Sequence, residues 1–153
     1  MRSFKTNYLV AVIAAALLQM GSCTPEACLE ETIANMKASL YSSGKILAPD
    51  SLTLYGLNMG SNRIYNNARN VKLALLPLNP SAESCGFVIR INRITDTILT
   101  WYASYPHLIS KECGYTYYHT LDSLIFTNNI IDTIIIRNRS VTTVNEENVR
   151  ILY

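Results

Sequence analysis

CGFVIRINRITDTILTWYA, residues 85–103, is the stretch on which the fold turns. Cys85, Phe87, Ile89 and Ile91 fall on one face of an extended chain, with Val88, Arg90 and Asn92 opposite. Apolar residues recurring at period two mark a half-buried strand. A turn near Asn92-Arg93 returns the chain into a second strand carrying Thr97, Leu99, Trp101 and Ala103, and Pro106 is expected to stop it. The pair is a β-hairpin.

The same period extends outward in both directions. Ala34, Met36, Ala38 and Leu40 alternate with Asn35, Lys37 and Ser39, so a half-buried strand is expected there. Lys45 to Asp50, with Pro49, reads as a connection. Leu52, Leu54 and Gly56 form a further strand, with Thr53, Tyr55 and Leu57 on its other face. Asn58 to Asn70 is rich in Asn, Gly and Ser and reads as a long loop with a short edge strand at Ile64-Tyr65. Val71, Leu73 and Leu75 alternate next, until Pro77 and Pro80. Downstream, Cys113 to His119 reads as a strand in which Gly114 marks a bulge. Ile130 to Arg137 (IIDTIIIR) carries a central-strand signature, and Val149, Ile151 and Tyr153 alternate last. Only Glu26 to Met36, after Thr24-Pro25, fits a turn of helix. Seven to eight short strands at this spacing predict an all-β, antiparallel β-sandwich, immunoglobulin-like or similar, over residues 32–153.

The start of the chain reads as an export signal. Arg2 and Lys5 flank an uncharged apolar run, Tyr8 to Leu18, which is too short to span a bilayer. Gln19-Met20-Gly21-Ser22 then places small residues before Cys23. Residues 1–22 therefore read as a signal peptide, Cys23 as a lipidation site, and residues 23–31 as an anchored N-terminal segment. Removal of residues 1–22 leaves about 130 residues, the size of one domain. The formal charge of +2 falls to near zero once Arg2 and Lys5 leave. A neutral chain without a basic cluster is a poor nucleic-acid binder. The expected partners are a membrane, through the lipid, and an envelope protein or glycan.

Four cysteines follow the signal: Cys23, Cys28, Cys85 and Cys113. Export favours pairing. If Cys23 carries lipid, three remain; if not, three pairings of four are open. Cys28 with Cys113 is the pairing expected, stapling the N-terminal segment to a late strand, with Cys85 then a buried free thiol. Closing so long a loop contributes roughly 3–5 kcal/mol in the chain-entropy model. Cys85 or Cys113, set against a histidine, is also the only visible route to a catalytic thiol, which needs exposure and a depressed pKa.

No other catalytic constellation stands out. There is no C-x-x-C, and His107 and His119 lie apart, so neither a metal site nor a cofactor is expected. No G-x-S-x-G turn accompanies the serines. Glu30-Glu31 and Glu146-Glu147 are sequence neighbours, which in strands point to opposite faces and cannot work as a pair. The aromatic cluster Trp101, Tyr102, Tyr105, Tyr115, Tyr117 and Tyr118 is the best functional lead. Tyr and Trp join apolar area to a hydrogen-bonding handle, which suits glycan or protein recognition. Alternating tyrosines also commonly divide between core and surface.

Several short stretches together carry a resemblance: the signal ending at Cys23, Cys28-Leu29-Glu30-Glu31, Ala74 to Asn79 (ALLPLN), Asp96-Thr97, His107 to Tyr115 (HLISKECGY) and Asn145 to Asn148 (NEEN). In these the chain resembles a family of small uncharacterised cell-envelope lipoproteins of Bacteroidetes. The resemblance implies a pairing role for Cys28 and Cys113 and carries over no catalytic residues. It further implies an outer-membrane lipoprotein. Thr24-Pro25-Glu26-Ala27, with a single acid, favours the periplasmic face. The function expected is a non-enzymatic binding or assembly module. The alternatives are a small periplasmic enzyme using a cysteine or carboxylate, or a glycan-binding module using the Tyr/Trp-rich strands.

Overall fold

Alternating apolar residues need a second layer to bury against, and two packed sheets supply it. In the computed structural model, residues 27–60 and 62–153 are described. The signal segment 1–22, the lipidation site Cys23 and the start of the anchored segment lie outside them. The strands are β1 (Asn35–Ser42), β2 (Lys45–Ile46), β3 (Leu52–Gly56), β4 (Arg63–Ala68), β5 (Leu73–Pro77), β6 (Ser84–Ile91), β7 (Ile94–Ser110), β8 (Gly114–Phe126), β9 (Thr133–Ile136), β10 (Ser140–Val141) and β11 (Val149–Leu152). One sheet runs β2-β1-β11-β9, with β5 also on β1; the other runs β10-β8-β7-β6-β3-β4. Met36, Ala38 and Leu40 of β1 meet Phe87, Ile89 and Ile91 of β6 and Ile98 and Tyr102 of β7 in one core. The fold is an all-β sandwich.

Several elements differ from the sequence reading. No helix forms among the described residues, and Asn35 and Met36 already belong to β1. β1 is buried on both faces rather than half-buried, and it pairs in parallel with β11, Ala38 opposite Val149 and Leu40 opposite Ile151. Lys37 is tolerated inside because Nζ donates to Thr142 O (3.0 Å), while its backbone N–H donates to Asn148 Oδ1 (2.9 Å). Lys45-Ile46, read as a connection, forms β2, while the edge strand expected at Ile64-Tyr65 forms and extends over Arg63–Ala68 as β4. Ile130 to Arg137 reduces to the four-residue β9, an edge strand rather than a central one.

The β6–β7 hairpin closes as expected through Asn92 (φ 55°) and Arg93 (φ 122°), between the pair Ile91 and Ile94. The core face of β7 carries Asp96, Ile98, Thr100 and Tyr102, so Thr97, Leu99, Trp101 and Ala103 point outward. β7 also runs straight through Pro106 to Ser110. β6 accompanies it only as far as Trp101, opposite Ser84. The Tyr102 N–H points to that side, donating to Glu83 O (2.9 Å). By the two-residue alternation, the missing N–H of Pro106 faces the same side, where no strand lies among the described residues. The β7–β8 hairpin therefore extends past its neighbours and turns back before Gly114, which takes φ +72°. The register irregularity at this end of the hairpin lies on the opposite strand, between Leu108 and Ser110.

Candidate functional site: a groove on the free edge of β7

Where β6 stops, the chain leading into it lies against β7 and leaves a groove of about 610 Å³. Pro80, Ser81, Ala82 and Glu83 form one wall; Trp101, Tyr102, Ala103, Ser104 and Asp122 form the other. The first wall is fixed locally. Asn79 Oδ1 accepts from Ser81 N–H (2.9 Å), and Asn79 O accepts from Ala82 N–H (3.2 Å), an Asx-type turn set by Pro80. Tyr102 then ties it to the second wall: its hydroxyl donates to Asn79 O (2.9 Å) and accepts from Asn79 N–H (3.0 Å). Burial pushes the Tyr102 phenol up to about 12, with Cys85 nearby adding to it, so it stays a neutral donor.

The second wall depends on a bulge. Trp101 pairs with Ser123 and Tyr102 with Leu121, which leaves Asp122 as the extra residue and turns it into the groove. Arg139 braces the bulge, its Nη1 donating to Leu121 O (2.9 Å) and to Asp122 O. Among the described residues neither Glu83 nor Asp122 has a cationic partner, the one ion pair being Arg150–Glu147. The groove thus brings together Trp101, Ser104 and two acidic residues, Glu83 and Asp122, that form no ion pair among the described residues.

Behind Ser104, its Oγ lies 2.8 Å from Nδ1 of the buried His119, whose ring meets Tyr102 edge-on at 5.4 Å. Burial holds the His119 pKa below its ordinary value. No carboxylate hydrogen-bonds to His119 among the described residues, so the pair lacks the orienting acid of a hydrolytic triad. In the sequence His119 stands as an isolated histidine; its burial and its contact with Ser104 follow from the strand pairing Ser104–His119.

The six clustered aromatics do not form one surface. Trp101, Tyr105 and Tyr118 share the outer face of the hairpin with His107, which stacks on Tyr118 at 4.1 Å. Tyr102, Tyr117 and Tyr115 share the other face. Trp101 is 37% exposed and Tyr115 73%, whereas Tyr102 is 3% exposed and belongs to the core. Tyr118 is partly buried, its hydroxyl 3.1 Å from Thr143 Oγ1.

Neither Cys113 nor Cys85 has the surroundings of an activated thiol. Cys28 and Cys113 form a disulfide, so Cys113 has no thiol to offer. Cys85 is free and half-buried beside a second cavity of about 360 Å³. Burial pushes its thiol up, against hydrogen bonds with Tyr102 and Asn79, the reverse of an activated nucleophile. No cluster of three metal-ligating side chains occurs among the described residues.

Asp96 is a group whose role the sequence does not show. It is buried at the start of β7, and its carboxylate accepts from Thr127 Oγ1 (2.5 Å) and from the N–H groups of Asn129, Ile130 and Ile131 (2.8–3.0 Å). It is a structural clamp on the β8–β9 connection, lying outside the groove.

A family model described as a family of unknown function (DUF6452) matches residues 51–153. The match begins just before β3 and so includes the groove and Cys113, but not β1 or Cys28. Neither the curated proteins nor the solved structures contain a match.

Proposed function

The chain belongs to the family of unknown function DUF6452, and we propose that it is a lipid-tethered cell-envelope module that binds a glycan in the groove beside Trp101. The observation that carries this reading is the Trp101 indole, partly exposed in an open groove between Glu83 and Asp122. An aromatic face packs against the C–H face of a sugar ring, and carboxylates accept its hydroxyl hydrogens. The same carboxylates repel anions, which disfavours phosphorylated or nucleic-acid ligands. Trp101 and Tyr105 share one face four residues apart, about 13 Å along the strand, the reach of an oligosaccharide. The export signal and Cys23 support placement in the envelope, the outer membrane's periplasmic face being the proposed side.

Printed arrays of envelope-type oligosaccharides, probed with the labelled protein, test the reading. Binding that disappears in Trp101→Ala supports it. Blank arrays, with a protein captured instead through a Trp101-independent surface, favour an assembly role.

A further inference from the structure

The buried face of the β7–β8 hairpin continues past the point where any described residue covers it. Tyr102 pairs with Leu121 in the core, and Ser104 with His119 comes next. Pro106 then faces Tyr117, and Leu108 faces Tyr115, on the same side of the same two strands. Exposure rises along the series to 48% at Tyr117, 47% at Leu108 and 73% at Tyr115. An apolar strand face left open to water is an interaction surface.

The N-terminal segment identifies its occupant. Cys28 is bonded to Cys113 at the hairpin's turn, and Thr116 Oγ1, on the face opposite Tyr115 and Tyr117, donates to Thr32 O (2.6 Å), so the segment runs along the hairpin's other face to its tip. Leu29 stands 93% exposed beside the disulfide. Cys23 is five residues before Cys28, a separation that spans at most about 18 Å. A lipid on Cys23 therefore reaches the bilayer from the hairpin end, whatever the rest of the domain does.

We infer that this end of the hairpin, with Leu29, Leu108, Tyr115 and Tyr117, rests in the bilayer interface and orients the domain on it. The inference relies on the lipid-tethered reading above. Tyrosine suits the headgroup level, with its ring toward the acyl chains and its hydroxyl in water. Lys111 is outnumbered by Glu30, Glu31 and Glu112 at this end, which selects neutral rather than anionic headgroups. Seven residues separate Leu108 from Trp101, about 23 Å of strand, so the groove is held clear of the surface.

The chain has one tryptophan, Trp101, which serves as an internal control. The full lipidated protein is reconstituted into phosphatidylcholine–phosphatidylethanolamine vesicles with brominated acyl chains, which quench nearby indoles. A second reporter carries Tyr115→Trp with Trp101→Phe, both at exposed positions. The reporter at position 115 is expected to lose about half its emission, while Trp101 keeps nearly all of it. A floating protein whose position-115 indole is no more quenched than Trp101 overturns the docking alone. A blue-shifted but unquenched indole also overturns it, in favour of a protein partner. Failure of the wild-type protein to float, with an unmodified Cys23 by mass, overturns the tether and the docking together.

Discussion

The Tyr102 phenol and the Asn79 peptide unit grip each other twice, the hydroxyl donating to the Asn79 carbonyl and accepting from its N–H. This reciprocal contact joins the two walls of the groove across 23 residues of sequence. Tyr102→Phe keeps the ring in the core and removes only the oxygen, leaving the Asn79 groups without a partner. A loss of about 1–3 kcal/mol is expected in chemical denaturation. Hydrogen exchange should rise at Ser81 and Ala82 and not at the β6–β7 turn.

Asp96 should dominate stability at low pH. Burial raises its pKa, but Thr127 and the three peptide N–H groups outweigh that and hold it below the ordinary carboxylate value. A depressed folded-state pKa means that the unfolded chain takes up the proton first. The stabilisation is thus complete above about pH 4 and is lost as pH falls through the lower folded value. Asp96→Ala should cost about 3 kcal/mol at neutral pH, because hydrogen bonds to an ionised acceptor are the stronger kind. It should also flatten the acid limb of the stability curve.

His119 should act in a different window. Burial lowers its folded pKa, so protonation favours the unfolded chain. The contribution is fully present above about pH 6.5 and declines below it, toward the folded value. The melting temperature is expected to fall between pH 7 and pH 5. In His119→Gln, which keeps a polar partner for Ser104 but cannot titrate, that part of the fall should be absent.

The Cys28–Cys113 bond closes a loop of 85 residues. Replacing both cysteines by serine should remove about 4–5 kcal/mol in the chain-entropy model. Alkylation of the native protein should leave Cys85 slow to react at pH 7.5, since burial raises its pKa. Prompt modification of Cys85 would revive a thiol-based enzyme.

The legible parts of the chain were those where one rule acted alone. The β6–β7 hairpin could be read because period-two alternation and a two-residue turn agree. β1 misled because Lys37 looked solvent-facing, yet backbone carbonyls accept its ammonium protons inside the fold. The run Ile130 to Arg137 misled because Asp96 takes the N–H groups of Ile130 and Ile131, leaving only Thr133–Ile136 for the sheet. Pro106 looked like a stop because nothing in the sequence says which side of β7 is open. The groove was half visible: Trp101 and Tyr102 were candidates, while Glu83 and Asp122 come together only through strand pairing and a bulge.

The most direct test of the central claim uses the chain's only tryptophan. Trp101 emission is followed while soluble peptidoglycan and envelope polysaccharide fragments are titrated into the full-length protein. A saturable shift that Asp122→Asn weakens several-fold, and that leaves the melting temperature of the free variant unchanged, is the result expected. Emission that stays flat up to millimolar fragments, while the protein remains folded, would contradict glycan binding at this groove.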